Sequence, residues 1–432
     1  MVAVTSSTGV TRGPVWTRLV LTVTLVAYLG LAVGYATLTP IWQNPDEPAH
    51  YNYIAFVAET GGLPELKSGD WDLALLERLK IGALQSGDNV GSIRYESWQP
   101  PLFYLLAAPV YKLGPIDLAS AVLRLRLLDV LLGAVTLGFA YLVGREILPI
   151  RLAAAVPMTM TGVPMFTSVS SAISADPLAN LLSAALLLVC VRRANAPGGE
   201  SHRWPVAAGA LLGLGLLTKL ALAIFLPIAL LVLLWRAARP MREASLLLGM
   251  TFVVTLPWLV HQVTTYGLLD PLGTTRHASV VLDQQRFPGL SLTYVVDFAT
   301  ITFHSFWAQF GWMGIVAPDR LYWVYGLWVA IALVGLGRSR CRFNEPAWRL
   351  VALTVLAACA ALVGYNLTFE QFQGRYLFPA VTAIAALLVA GWAAWLPPSA
   401  QRWGVLLAGV TLLILNAYAL SRVLVPGFAA TG

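Results

Sequence analysis

Residues 17–53 read TRLVLTVTLVAYLGLAVGYATLTPIWQNPDEPAHYNY. The first part, 17–39, is apolar apart from Arg18 near its start. A helix of that length crosses about 30 Å of hydrocarbon. The run is longer than a signal-peptide core and lacks a clear cleavage site, so a retained anchor is expected. The polar, acidic stretch that follows marks where the chain leaves the membrane. Outward from here the pattern repeats. About eleven crossings are expected, near 17–39, 123–144, 150–168, 174–192, 205–219, 220–236, 244–265, 322–337, 347–366, 376–396 and 403–424. The chain is 58% hydrophobic and 11% charged, whereas soluble domains carry about a quarter charged residues. Mean hydropathy is +0.72. Alternating strand patterns are absent, which excludes a β-barrel. The sequence predicts an all-α integral membrane protein, 1–432, built as a polytopic bundle with no detachable soluble domain.

Arginine placement orients the bundle. Arg12 and Arg18 precede the first span, and Arg145 and Arg151 flank the next gap. Arg192, Arg193 and Arg203 follow, then Arg236, Arg239 and Arg242, then Arg338, Arg340, Arg342 and Arg349, and finally Arg402. All fall on one side, and the positive-inside rule makes that side the cytoplasm. The expected N-terminus is cytoplasmic and the C-terminus outside. The net charge of +7 therefore reports topology, and no nucleic-acid partner is expected. Cys190, Cys341 and Cys359 lie in or beside apolar runs, with neither disulfide nor metal spacing.

Two long segments face outward. The first, 40–122, holds ten acidic against five basic residues. Within it 101–122 is apolar but short at its start, and is expected as a partly inserted hairpin at the outer interface; a tilted crossing is the alternative. The second, 266–321, is rich in aromatics and carries His277 and His304. Pro48–Glu59, Trp71–Leu84 and Leu292–Phe310 are candidate surface-lying helices.

Six constellations on that side could carry chemistry. NPDEPAHYNY, 44–53, places Asp46, Glu47, His50 and Tyr51 just past the first span. Carboxylates sharing a membrane rim perturb one another, and a raised one suits a general base. Asp46 and His50 would share a helix face, so Asp46, Glu47 and His50 could hold a divalent metal. The bland alternative is a helix start, with Asn44 or Asp46 as cap and Pro48 in the first turn. In YESWQPPLFYLL, 95–106, the double proline fixes an extended entry, and Glu96 and Gln99 could reach a sugar hydroxyl. Asp176, in SAISADPLANLL, 171–182, begins a span, either as functional acid or as N-cap. Lys219 interrupts an apolar stretch at the apex of a hairpin, where it either snorkels or holds an anion such as a lipid phosphate. Arg375, in FEQFQGRYLFPA, 369–380, breaks the positive-inside pattern beside Tyr376. Phosphate binding and pairing with a loop acid both fit it. His304 lies in FHSFWAQFGWMG, 303–314, which reads as a helix over a pocket or as an aromatic belt. Arg126 is also outward and is a secondary phosphate candidate.

These motifs resemble those of the GT-C superfamily of membrane glycosyltransferases. That superfamily includes the protein O-mannosyltransferases and the lipid A aminoarabinose transferases. The resemblance is closest to a bacterial membrane family with a PDEPAH motif, which here is Pro45-Asp46-Glu47-Pro48-Ala49-His50. Similar members carry a PPL entry (Gln99-Pro100-Pro101-Leu102), an Asp-Pro-Leu motif (Ala175-Asp176-Pro177-Leu178), an LTK hairpin (Leu217-Thr218-Lys219) and a GRYL segment (Gly374-Arg375-Tyr376-Leu377). SFWAQFGW, 305–312, is similar too. The chain departs in having Gln99 where many relatives have histidine, and the large soluble C-terminal domain of some is not expected here. The resemblance implies transfer of a sugar from a polyprenyl-phosphate donor to a glycan, lipid or protein hydroxyl outside the cytoplasm of a bacterial plasma membrane. Direct displacement would invert the anomeric centre. Asp46 is the first candidate base and Glu47 the second. Lys219, Arg375 and Arg126 would face the donor phosphate, and His50, Tyr51, Gln99, Asp176, His304 and Tyr376 would line the site. No cofactor is implied beyond the optional metal. A flippase for a lipid-linked saccharide and a non-catalytic assembly subunit are the alternatives. A transporter would place its charges near the midplane, whereas these gather at the rim.

Overall fold

The computed structural model describes residues 15–83, 89–115, 117–338 and 342–431. Arg12, Leu84, Arg340 and Cys341 lie outside them, as does the side chain of Arg342. The described chain is an all-α membrane bundle. Eight helices are long and apolar enough to cross a bilayer: Val15–Leu38, Leu118–Ile147, Asp176–Asn195, Pro240–Tyr266, Asp319–Arg338, Pro346–Asn366, Gly374–Ala393 and Gln401–Ala430. The other three expected crossings are helical but short or broken. Residues 150–169 form Ile150–Ala153, Ala155–Thr161 and Pro164–Val169. Pro157 and Pro164 punctuate this stretch, as expected of residues that cannot donate to a helical ladder. Residues 203–236 form Arg203–Leu216, a 3₁₀ turn Leu220–Ile224, and Phe225–Arg236.

Burial runs opposite to a soluble protein. On the first span Leu19, Val23, Val26 and Val33 point outward, while Tyr28, Ala32, Tyr35 and Ala36 are packed inside. Apolar branched side chains face lipid, and small or hydrogen-bonding ones face neighbours. Asp176–Asn195 is central, with 83% of its apolar window buried, against 17% for the peripheral Pro240–Tyr266. Asp319–Arg338 meets Gly374–Ala393 at glycines. A Cβ on Gly335 would lie 2.0 Å from the Gly391 carbonyl oxygen, so only glycine permits this approach.

The arginine-flanked ends meet one another. Thr17 donates to the Ile150 carbonyl, Trp16 packs edge-on against Trp403, and Arg151 donates to Gln401. Arg192 pairs with Glu146, Arg193 donates to the Arg236 carbonyl, and Arg349 lies over Trp235. The outward segments meet at the other end of the bundle. The first supplies Glu47–Thr60, Leu73–Lys80 and Leu102–Tyr111, and the second Thr274–Val280 and Leu292–Trp307. Leu102–Tyr111 has 10 residues, about 15 Å at 1.5 Å per residue, which is too short to cross. Two-residue strands, Gln309–Phe310 and Ile315–Val316, pair antiparallel with Gln309 opposite Val316.

Candidate active site

Asp46 occupies the N-cap position of Glu47–Thr60, but its side chain makes no cap hydrogen bond. Its backbone is left-handed, φ 65°, a region that aspartate reaches more readily than most residues. This aims the carboxylate across the chain instead of along the helix. The Tyr95 hydroxyl donates to Oδ1 at 2.7 Å, and Arg375 Nη2 donates to Oδ2. The capping account of Asp46 therefore fails. Burial alone would raise this carboxyl, but Arg375, His50 and the two hydrogen bonds outweigh it and hold the pKa at about 2.

Asp176 also leaves its own helix uncapped. Lys219 Nζ contacts its Oδ1, and Arg375 Nη1 lies 3.8 Å from Oδ2. Lys219 reaches this point because the helix breaks at Leu217–Lys219, and the Leu102 amide donates to the Leu217 carbonyl at 2.8 Å. The PPL entry thus seats the LTK hairpin. Arg375 is fixed from behind by Gln373, whose Oε1 accepts from Nε at 2.6 Å. Gly374 allows this, since its amide donates to Ser305 Oγ at 2.8 Å and a Cβ there would lie 2.2 Å from the Phe306 nitrogen. Tyr376 lies under both cations, 5.8 Å from Lys219 Nζ and 5.6 Å from the Arg375 guanidinium carbon. The result is a chain of alternating charge, Asp46, Arg375, Asp176, Lys219, at the end of the bundle opposite Arg151, Arg192, Arg193 and Arg349.

A cavity of about 260 Å³ opens beside this chain. Asp46, Arg375, Tyr376, Tyr95, Glu96 and His277 are among its walls, with Trp71 and Trp312. Burial, then the Asp46 charge, raise the Glu96 carboxyl to about 7; Gln99, Lys219 and Arg375 oppose this. His277 sits with its ring 4.8 Å from Trp98, and burial lowers it to about 4.

Several expected residues go elsewhere. Glu47 is 0% exposed and receives a two-pronged contact from Arg126, Nε to Oε1 and Nη2 to Oε2, both 2.7 Å. Arg126 also donates to the Ala36, Thr39 and Pro40 carbonyls. Neither is placed to act as base or phosphate ligand; the pair ties the end of the first span to the second. His50 is buried with Nδ1 2.9 Å from the Tyr104 hydroxyl. Burial, opposed by Asp46 and Asp176, lowers it to about 4. Asp46, Glu47 and His50 thus serve three different partners and do not fit a metal. Among the described residues no group of three His, Cys, Asp or Glu side chains is arranged to hold one. Tyr51 packs on Trp42 and Tyr111. His304 stacks on Tyr322 with ring centroids 3.6 Å apart, while its neighbour Ser305 faces the site. The Gln99 carbonyl accepts from Tyr53, and its side chain lies beside Glu96. Tyr95, Gln373 and Ser305 carried no expectation. Tyr95 is adjacent to Glu96, and Gln373 and Ser305 to expected residues, which was their only signal.

The chain matches the family described as Predicted membrane protein (DUF2142) over residues 83–384. It belongs to this family. No curated protein matches the chain. The DUF2142 chain is similar in fold to ArnT from Cupriavidus metallidurans bound to undecaprenyl phosphate, with TM-score 0.54, 19% identity, and coverage of 96% of this chain and 74% of that one. It is also similar to the Archaeoglobus fulgidus oligosaccharyltransferase in complex with Zn and sulfate, with TM-score 0.52, 15% identity, and coverage of 93% and 53% respectively. This DUF2142 member thus shares its fold with ArnT and the archaeal oligosaccharyltransferase.

Proposed function

We propose that the protein transfers a sugar from a polyprenyl-phosphate donor to an acceptor hydroxyl at the extracytoplasmic face, by inverting displacement. The carrying observation is the alternating chain Asp46, Arg375, Asp176, Lys219, whose first two members lie on the wall of a cavity at one end of a lipid-facing bundle. A departing lipid phosphate gains charge as the sugar leaves, and fixed cations in a dry site stabilise that change strongly. Lys219 and Arg375 supply them without a soluble nucleotide site. Arginine adds a fork matched to phosphate oxygens. The aromatic walls suit a sugar ring, with a few polar groups to orient it. A carboxylate of the first loop takes the acceptor's proton. Asp46 can do so only when Arg375 leaves it for the phosphate. Likeness to ArnT, whose structure holds undecaprenyl phosphate, supports this donor class. The arginine-lined opposite end supports a cytoplasmic assignment for that face, in a bacterial plasma membrane. The acceptor is a glycan, lipid or protein hydroxyl.

The test is incubation of purified protein with a panel of polyprenyl-phosphate sugars and detection of released polyprenyl phosphate. Release with at least one donor is expected, and Asp46→Asn should abolish it while membrane insertion persists. A wild-type protein that moves lipid-linked saccharide across vesicles without cleaving it would sink the reading.

A further inference from the structure

The outer end of the bundle gathers more carboxylates than one reaction needs, and their oxygens are not equally committed. Glu47 gives both to Arg126. Asp176 contacts Lys219 with one and faces Arg375 with the other. Asp46 gives one to the Tyr95 hydroxyl and one to Arg375. Asp129 has an unpaired oxygen, but it is 0% exposed within the bundle and does not line the cavity. Glu96 differs from all of these. It lines the cavity beside Asp46, Arg375 and Tyr376, its Oε2 is buried without a hydrogen-bond partner, and it makes no ion pair among the described residues.

A buried polar atom without a partner is costly, on the order of 1–3 kcal/mol, and is retained where something else meets it. A general base needs a free lone pair within reach of the proton it takes and a proton affinity near working pH. A carboxylate held by an arginine offers neither. Glu96 offers both, and it sits in a site already supplied with cations for the leaving group.

We infer that Glu96 is the catalytic residue that accepts the acceptor hydroxyl's proton, while Asp46 is a positioning residue that holds Arg375. The inference rests on the transferase reading and deepens it. In the step, the acceptor's O–H proton moves to a Glu96 oxygen. The acceptor oxygen forms a bond to the anomeric carbon. The bond from that carbon to the phosphate oxygen breaks, and its electron pair leaves with polyprenyl phosphate against Lys219 and Arg375. Glu96 then returns the proton to water. The groups that set its proton affinity come from several elements. Burial and Asp46 disfavour its charge, and Gln99, Lys219 and Arg375 favour it. Tyr95 adjoins it in sequence, and His277, Lys80 and Tyr365 share the cavity wall.

The test uses full-length wild type, Glu96→Gln and Glu96→Asp, purified and reconstituted. Transfer is read as polyprenyl phosphate released from the active donor. Binding of polyprenyl phosphate alone is read by tryptophan fluorescence. For Glu96→Gln the expected result is a fall in kcat of about 100-fold or more, the usual scale of lost general-base catalysis, with Kd for polyprenyl phosphate within about twofold of wild type. Wild-type kcat should rise with pH through about 7, because the carboxyl must be deprotonated to act, and Glu96→Gln should lose that rise. Glu96→Asp should recover part of the rate with the rise displaced, which separates loss of the base from loss of fold. Unchanged kcat in Glu96→Gln overturns the inference and leaves the transferase reading intact, as does a defect confined to Kd. A wild type that releases polyprenyl phosphate from no donor overturns the transferase reading, and the inference with it.

Discussion

Asp46 and Glu47 are adjacent in sequence and each meets an arginine, yet the two pairs belong to different kinds of region. Glu47 and Arg126 have side chains 0% and 3% exposed and are wrapped by the Trp42 amide and the Ala36, Thr39 and Pro40 carbonyls. Arg126 reaches three backbone oxygens besides its carboxylate, so the pair is closed. Asp46 and Arg375 border a cavity, with Asp46 21% exposed, and Arg375 also faces a second carboxylate. That pair has room to exchange one anion for another. The difference teaches that a buried ion pair near a membrane rim marks function only when a ligand could take one partner's place.

The sharpest way to break the comparison is to remove one half of the closed pair. Arg126→Ala leaves Glu47 charged in the dry end of the bundle, and losing one partner of a buried pair costs about 3–5 kcal/mol. Thermal unfolding in detergent should show a large fall, with poor recovery from the membrane. Glu47→Gln together with Arg126→Met should cost less than Arg126→Ala alone, because no unpaired charge remains. The open pair should respond in the opposite currency. Arg375→Lys keeps the charge but loses the fork. Released polyprenyl phosphate should fall about 100-fold, the scale of removing one transition-state donor, while the unfolding temperature barely moves. If Arg126→Ala lost transfer at full stability, the assignment of the two pairs would have to be exchanged.

A smaller effect separates Arg375 from the segment that carries it. Gly374→Ala places a Cβ 2.2 Å from the Phe306 backbone nitrogen, and backbone cannot step aside as a flexible side chain can. The helix ending at Trp307 and the 374–380 turn must separate, at roughly 1–3 kcal/mol for such overpacking. Arg375 would shift with the turn, and displacements of about 1 Å from the reacting geometry lower rates substantially. Both unfolding temperature and transfer should fall. A loss of stability with transfer intact would mean that Arg375 tolerates displacement and is not a precise phosphate ligand.

How much of this was legible depends on which forces wrote it. Eight of the eleven expected spans were, because hydrocarbon forces backbone groups to pair within helices and leaves a long apolar run as its trace. Loop helices expected at 48–59, 71–84 and 292–310 appear as Glu47–Thr60, Leu73–Lys80 and Leu292–Trp307. The Gln309–Phe310 and Ile315–Val316 hairpin was not legible, since two-residue strands carry no periodicity. Within the site, the gathering of Asp46, Asp176, Lys219 and Arg375 followed from sidedness alone. The fate of each arginine did not. Arg126 and Arg375 both look like outward arginines at a span's start, and only partners 79 and 329 positions away separate them. Nor could the sequence show that Asp46 would be neutralised while Glu96 stayed unpaired.

The smallest effect is expected at His304, and it tests the helix face that sequence could not choose. Successive residues on a helix point about 100° apart, so His304 and Ser305 cannot both address the 374–380 turn. Ser305 does so, through the Gly374 amide. His304 instead stacks on Tyr322, with an interplanar angle of 6°. The Tyr322 hydroxyl donates to the Ala308 carbonyl at 2.7 Å and accepts from the Ala317 amide at 3.0 Å. The stack therefore braces the two ends of the 309–316 hairpin and contacts none of the charged chain. His304→Ala should cost about 1 kcal/mol, the usual worth of an aromatic pair, seen as a small drop in unfolding temperature. Transfer should stay within about threefold of wild type, while Ser305→Ala, which strips the Gly374 amide of its acceptor, should lower it further. The reverse ranking, with His304 costing more rate than Ser305 at equal stability, would place the imidazole in the chemistry and require the Leu292–Trp307 helix to turn when donor binds.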